Sequence, residues 1–495
     1  MFKKFIYIIL IVFSLAMFLF TMRGSLGIPS PKEIEFNLSQ RGKPFESSQE
    51  RSRYAIILSL MHDHSFAIDH YASMGTPDIG RIKGHYYSFF PPMTSILAIP
   101  LYLLGLKIGA TQLLVFLLPT VFSLLTMLLI VRFAMLLKLH WSIALFSAVS
   151  FGFATNAWGY SVTLYAHLIS AFLILLGLYV VLFVNDKHKA LKAWLAWLMY
   201  SLAVLVDFPN LFIYLPIVVM AMLKVIDITQ LKDKFKIKIN WIVICAPLIF
   251  VFFMSIYGVY NQVHFGSPFK FSNTIPRVKD LKNVNLAVPE SGTGSSEALN
   301  TRNLLNGLQS FTVSNDRGIL IYSPVVLLFI FGFGFLKSSR KKVEAGLLAV
   351  PSTCIVLYSM FGDPYGGWAF GSRYLVAVLP QLCILAGIGL QRFYKNIFVK
   401  IIYSIVFIYS AAISLLAPLT TNVIPPYVEA RNLNLDSWFI VNLRMLKENE
   451  LDSFFYNHIL QRSITGVAYY MIILSIVILV GLLFIWFKKK AYENV

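Results

Sequence analysis

SSQERSRYAIILSLMHDHSFAIDHYASMGTPDIGRIKGHYYSFFPP, residues 47–92, lies between long apolar runs in a chain that is otherwise mostly apolar. A polytopic protein needs only short turns between its spans. This stretch instead concentrates carboxylates, arginines, histidines and tyrosines. Such polar groups, gathered where a membrane surface is expected, point to chemistry on something polar attached to something lipidic.

Composition sets the class. The 495 residues are 58% hydrophobic and only 13% charged, with a mean hydropathy of +0.71. A soluble domain carries about 25% charged residues. Apolar runs near the length that crosses a bilayer recur throughout. The aromatic fraction of 15% suits spans with Trp and Tyr at their ends. A net charge of +19 could suggest nucleic acid as a partner. The basic residues, however, cluster in short turns between apolar runs, the pattern of the positive-inside rule, so no nucleic acid is expected. Cys245, Cys354 and Cys383 all lie in apolar runs and read as small hydrophobes, not as a disulfide framework or thiolate metal site.

Topology follows from charge. Lys3 and Lys4 precede an apolar run with no small-x-small cleavage site after it, which reads as a retained first span. Acid-poor basic turns at 132–140, 187–192, 224–238, 337–342, 392–400 and 488–490 are assigned to the cytoplasm. The mixed-charge loops 23–92, 261–318 and 421–465 are assigned to the outside. The expected fold is all-α: a single polytopic membrane domain over 1–495 with juxtamembrane helices in its first outer loop. About twelve spans fit, near 4–22, 112–135, 141–157, 160–184, 193–206, 209–223, 241–260, 319–336, 343–361, 376–391, 400–419 and 467–487. Both termini are then cytoplasmic. The run Met93 to Ile108 is short and interrupted by Pro100, and counting it as a span would put the 187–192 cluster outside. A re-entrant or juxtamembrane segment is preferred over a span. Residues 284–300, rich in Gly, Ser and Asn, read as a mobile outer loop. No internal repeat is evident.

Within the first loop, Tyr54, Ile57, Leu58 and Met61 fall at helical spacing and predict an apolar face lying on the membrane surface. Ser47 and Glu50 have capping-box spacing, so Glu50 has a structural reading as a helix cap. The order ERSRYA, a short helix, GHYYSFFPP and then an apolar run resembles the first outer loop of the GT-C glycosyltransferases, which use polyprenyl-phosphate sugars. The nearest likeness is to the protein O-mannosyltransferase and lipid A aminoarabinose transferase superfamily. Matching Arg53, Tyr54 and Ala55 to that family's motif places its catalytic carboxylate at Glu50. YSVTLYAHL (160–168), YNQVHFGSPF (260–269), RGILIYSPV (317–325) and GGWAFGSRYLVAVLP (366–380) resemble outer span ends of bacterial members, in the same order. One departure stands out: where some relatives carry a Lys before the Pro-Pro, this chain has Phe90.

The resemblance implies transfer of a sugar, with inversion, from a polyprenyl-phosphate donor to a hydroxyl of a glycan, lipid or protein acceptor. The reaction would occur at the extracytoplasmic face of the plasma membrane. An alcohol needs a base at neutral pH, and the departing phosphate needs cations or fixed donors. Glu50 is the first candidate base, with Asp69 and Asp78 behind it. Arg373, Arg81, Lys83 and His85 are candidates for the donor phosphate, although each also reads as an interfacial or solvated charge. Arg53, Tyr86, Tyr87 and His167 complete the candidate pocket. His167, near a span end, reads equally as a packing histidine. Asp207, beside Pro209, reads as a helix cap. His62, Asp63, His64, Asp69 and His70 have ligand chemistry but no trusted metal spacing, so no metal residues are assigned and a divalent cation is left open. The alternatives are a lipid-linked glycan flippase or other transporter, and an O-antigen-type polymerase. A transporter should carry ionisable groups at mid-span and repeated halves. A polymerase should depend on arginines in later loops.

Overall fold

The computed structural model describes residues 2–35, 42–223, 226–231, 234–239, 241–278, 281, 299–333 and 341–487. Most of the glycine- and serine-rich run 284–300, parts of the basic turns at 224–238 and 337–342, and all of 488–490 lie outside the described residues.

The protein is an all-α polytopic membrane protein. Among the described residues, seven helices are long and apolar enough to cross a bilayer: Thr111–Leu136, Lys189–Val206, Trp241–Phe265, Lys341–Ser359, Arg373–Arg392, Ile397–Leu419 and Gly466–Trp486. Phe5–Thr21, Met93–Ile108, Trp141–Phe153, His167–Phe183 and Asn210–Met222 are shorter apolar helices. Burial ranks them. The Arg373–Arg392 segment is 89% buried and forms the centre, whereas Trp241–Phe265 is 17% buried and stands at the periphery. Glycines let the centre close up. A Cβ on Gly332 would sit 1.9 Å from the Leu385 carbonyl oxygen, so backbone packs directly on backbone there.

The expected span 319–336 is instead a short helix, Ile319–Tyr322, followed by a 3-10 stretch, Pro324–Gly332. Proline has no N–H to continue the helix. Groups from elsewhere in the chain satisfy this break: Val325 N donates to the side chain of Ser410 at 3.0 Å, and Ser323 Oγ accepts from the backbone N of Asn156 at 2.9 Å.

Met93–Ile108 ends at Gly109, whose φ of +67° favours glycine, and the next helix begins at Thr111. Sixteen residues make a rod about 24 Å long. Its start, middle and end all touch the segment 23–92. Ser95 Oγ donates to Arg53 O at 2.9 Å, Tyr102 Oη meets His62 Nε2 at 3.0 Å, and Gly27 N donates to Gly109 O at 2.7 Å. The helix therefore runs alongside that segment.

The first loop is more structured than its helical period indicates. Its helix Ser48–Leu58 does not lie with one face on a surface: every residue from Gln49 to Leu58 is buried. Protein packs on all sides, and the apolar stripe Tyr54, Ile57 and Leu58 is only part of the enclosed surface. Strands Ile79–Ile82 and His85–Ser88 form a hairpin, and Arg277–Val278 adds a third antiparallel strand to it. This small sheet joins the segments 23–92 and 261–318.

A buried ion cluster ties the first loop to the end of the chain. Arg23, 1% exposed, donates from Nη1 to Glu46 Oε1 at 2.6 Å, from Nε to Asp452 Oδ2 at 2.8 Å and from Nη2 to Thr420 O at 3.0 Å. Glu46 also accepts from Asn422 N at 2.7 Å, Gly42 N at 2.8 Å and the Thr421 hydroxyl. Removing one member of such a cluster leaves buried charge uncompensated, which costs about 3–5 kcal/mol. Arg23→Ala is accordingly expected to lower the melting midpoint of the purified protein sharply. The triple variant Arg23→Met, Glu46→Gln, Asp452→Asn should recover part of that loss in the same thermal scan.

Candidate functional site

The helix Ser48–Leu58 starts with the capping box its sequence predicts. Ser47 N donates to Glu50 Oε2 at 3.3 Å, and Ser47 Oγ accepts from Gln49 N at 3.3 Å. The cap uses only one oxygen of Glu50. The other, Oε1, is buried and has no hydrogen-bond partner among the described residues. Burial pushes the Glu50 carboxyl up to about 8; Arg23 pulls it down and Glu46 pushes it further up. Glu50 is thus both a cap and an enclosed carboxyl with a free acceptor.

Arg53 follows one turn later on the same helix, so the two side chains share a face. Its guanidinium lies 4.4 Å from the Phe90 ring centroid. Nη1 donates to Gln49 O at 3.3 Å and Gln49 Oε1 at 3.1 Å, but Nε is buried without a partner. Burial lowers Arg53 to about 10, against the pull of Asp207. Arg373 lies 5.3 Å from the Tyr374 ring centroid, and its Nε also lacks a partner. Arg53 and Arg373 both act on the carboxyl of Asp207, which burial nevertheless raises to about 6.

Three other buried arginines behave differently. Arg23 is saturated by carboxylates. Arg51 gives its donors to Met74 O, Phe45 O, Glu46 O and Thr76 O at 2.8–3.0 Å. Arg317 gives its donors to Tyr365 O, Asp316 O, Gly367 O and Ile424 O at 2.8–3.0 Å. These three hold the chain in place. Arg53 and Arg373 keep a donor in reserve.

The later motifs converge on the same place. Tyr160 Oη donates to Phe370 O at 3.0 Å, joining YSVTLYAHL to GGWAFGSRY. Tyr165 Oη donates to Ser47 Oγ at 2.7 Å and feels the charges of both Glu50 and Arg373. The Tyr165 ring stacks on His167 with centroids 5.7 Å apart, and Tyr160 meets His167 edge-on at 5.8 Å. His167 Nδ1 is 3.9 Å from Asp207 Oδ2. Glu50, Arg53, Arg373 and His167 are thus brought together.

The remaining candidates lie elsewhere and already have partners. Asp78 accepts from the Ser48 hydroxyl at 2.5 Å and from Arg277 Nη2 at 2.9 Å. Asp69 is exposed, meets His85 Nδ1 at 2.7 Å and accepts from Tyr86 N at 2.7 Å. Arg81 is exposed and 5.4 Å from the Tyr86 ring centroid, while Lys83 Nζ donates to Val263 O at 3.3 Å. Tyr87 Oη meets His264 Nδ1 at 3.3 Å. His70 pairs with Asp63 at 3.0 Å, so the histidine–aspartate run separates into pairs, and no group of three His, Cys, Asp or Glu converges among the described residues.

Asp207 is the residue whose sequence reading changes. It was expected to cap the short helix that follows, but that helix has no side-chain cap. Its carboxyl faces His167 and the arginines instead. Its place in an otherwise apolar stretch was the available signal. Glu46 carried no such signal, because apart from Gly42 its partners lie 23 and more than 370 residues away in the chain.

No family model matches this chain, and no curated protein matches it. Among solved structures, the chain is similar to the crystal structure of ArnT from Cupriavidus metallidurans bound to undecaprenyl phosphate. The identity is 14% and the TM-score 0.44, over 96% of this chain and 76% of that one.

Proposed function

We propose that this protein is a GT-C-type membrane glycosyltransferase that moves a sugar from a polyprenyl-phosphate donor to an acceptor hydroxyl. The observation that carries the reading is the pair of unused guanidinium donors on Arg53 and Arg373, on the same side of the fold as the unused oxygen of Glu50. Buried donors without partners cost free energy unless a ligand meets them. Two cations beside a buried acceptor suit an anionic leaving group and a hydroxyl that must lose a proton.

In this reading, Glu50 Oε1 accepts the proton of the acceptor hydroxyl as its oxygen bonds to the anomeric carbon. The bond from that carbon to the phosphate oxygen breaks with inversion. The electron pair stays on the polyprenyl phosphate, and Arg53 and Arg373 meet the charge that grows there. Phe90, at the position where some relatives carry a Lys, lies with its ring centroid 4.4 Å from the Arg53 guanidinium. Arg53 then supplies the cation missing from position 90.

Glu50→Gln separates the two roles of this residue. Glutamine still serves a capping box, so the variant should fold and bind donor. It cannot take a proton, so turnover should fall by about 10²-fold or more. An active Glu50→Gln enzyme would remove the base assignment and turn attention to Asp78 and Asp69. For the wild type, the carboxyl must be ionised to act and holds its proton below about 8. Turnover should therefore rise with pH, close to tenfold per unit below that value, and level off above it.

Arg373→Ala and Arg53→Ala each delete one charged donor to phosphate, a contact worth about 1.5–3 kcal/mol. Each is expected to weaken binding of polyprenyl phosphate at least tenfold, as measured by titration in detergent. Unchanged affinity in either variant would give the phosphate to another cation.

The proposed orientation, with the site outside and both termini inside, is open to labelling. In a Cys245→Ser background, a cysteine replacing exposed Lys43 should react with an impermeant maleimide on intact cells, and one replacing exposed Lys187 should not. The opposite pattern would invert the topology.

A further inference from the structure

We propose that His167, oriented by Asp207, recognises a hydroxyl of the donor sugar and so helps determine which sugar is transferred; this rests on the glycosyltransferase reading above. His167 is 6% exposed, and its Nε2 has no partner among the described residues. Its other nitrogen faces the Asp207 carboxyl at 3.9 Å. A carboxylate on that side favours a proton on Nδ1 and leaves a lone pair on Nε2. A lone pair repels phosphate oxygens and accepts from a hydroxyl. His167 is therefore unsuited to the anion that the arginines would hold.

Its position suits the sugar. Arg53 and Arg373, the groups assigned to the phosphate, both act on Asp207, so the imidazole lies beside them. Tyr165 stacks on His167 and binds Ser47, the capping partner of Glu50. The imidazole thus stands near both arginines, and Tyr165 links its ring to the first turn of the Glu50 helix. In a glycosyl phosphate the sugar ring is one oxygen away from the phosphorus, so a sugar hydroxyl falls within reach of a side chain beside the phosphate-binding arginines. Tyr160 and Tyr165 fix the ring plane of His167, so its lone pair has a set direction. Asp207 acts through His167 and is a positioning residue.

The test compares bare undecaprenyl phosphate with undecaprenyl-phosphate-linked glucose, galactose, mannose and aminoarabinose, each titrated against purified protein in detergent. Wild type should bind one glycosylated lipid more tightly than the bare phosphate. His167→Phe keeps the packing but loses the acceptor. It should weaken that lipid about tenfold and leave bare undecaprenyl phosphate unchanged. His167→Gln, with an amide oxygen that can reach the position of Nε2, should recover most of the loss. Equal weakening of both ligands by His167→Phe would make the imidazole a phosphate contact and overturn the proposal. No weakening of either, or no glycosylated lipid preferred by wild type, would overturn it too. Failure of wild type to bind even bare undecaprenyl phosphate would instead bring down the glycosyltransferase reading, and this proposal with it.

Discussion

Arg23 is the point on which the rest of the structure depends. It stands just past the first helix, takes both Glu46 and Asp452, and binds the Thr420 carbonyl at the end of Ile397–Leu419. Glu46 passes the restraint to the backbone of Asn422, whose side chain donates to Gly159 O at 2.9 Å. Asn442 closes the knot through Thr420 Oγ1 and Thr421 O, each at 2.8 Å. Glu46 immediately precedes Ser47, so the start of the Glu50 helix is held by the same charges. Burial nonetheless raises Asp452 to about 7 despite Arg23. The cluster spends much of its attraction on desolvation, and its worth lies in fixing one arrangement of distant segments.

Around that knot, buried arginines divide by what they bind. Arg51 and Arg317 gather backbone carbonyls, mostly of irregular segments, which helps keep that backbone satisfied where it is buried. Arg53 and Arg373 instead lie beside the Phe90 and Tyr374 rings, and the Nε of each has no hydrogen-bond partner among the described residues.

Much of the fold was legible in the sequence, because span length and basic turns are local signals. Most expected spans correspond to helices, and Met93–Ile108 touches the segment 23–92 along its length. The chain departs where the signal is tertiary. Ser323–Pro324 breaks the expected 319–336 span, and the Ser48–Leu58 helix is enclosed although its period reads as amphipathic. Candidate residues divide the same way. Glu50, Arg53, Arg373 and His167 stood in motifs and come together. Arg81, Lys83 and His85 were named for nearness to the Pro-Pro, but the hairpin turns them to the exposed side. Glu46 and Asp207 acquire their partners only through folding, and a list of residues in order does not contain that.

The capping box has a further consequence. One carboxylate oxygen of Glu50 anchors the first turn of its helix, while the other is buried without a partner among the described residues. Charge on a capping carboxylate also stabilises the positive end of the helix dipole. If Glu50 takes the acceptor's proton, it gives up that charge and weakens its hold on Ser47 N–H in the same instant. In the proposed reaction each turnover would then loosen, briefly, the turn that carries Arg53. Bond-making and product release would share a single latch, opened by the proton that the reaction itself delivers.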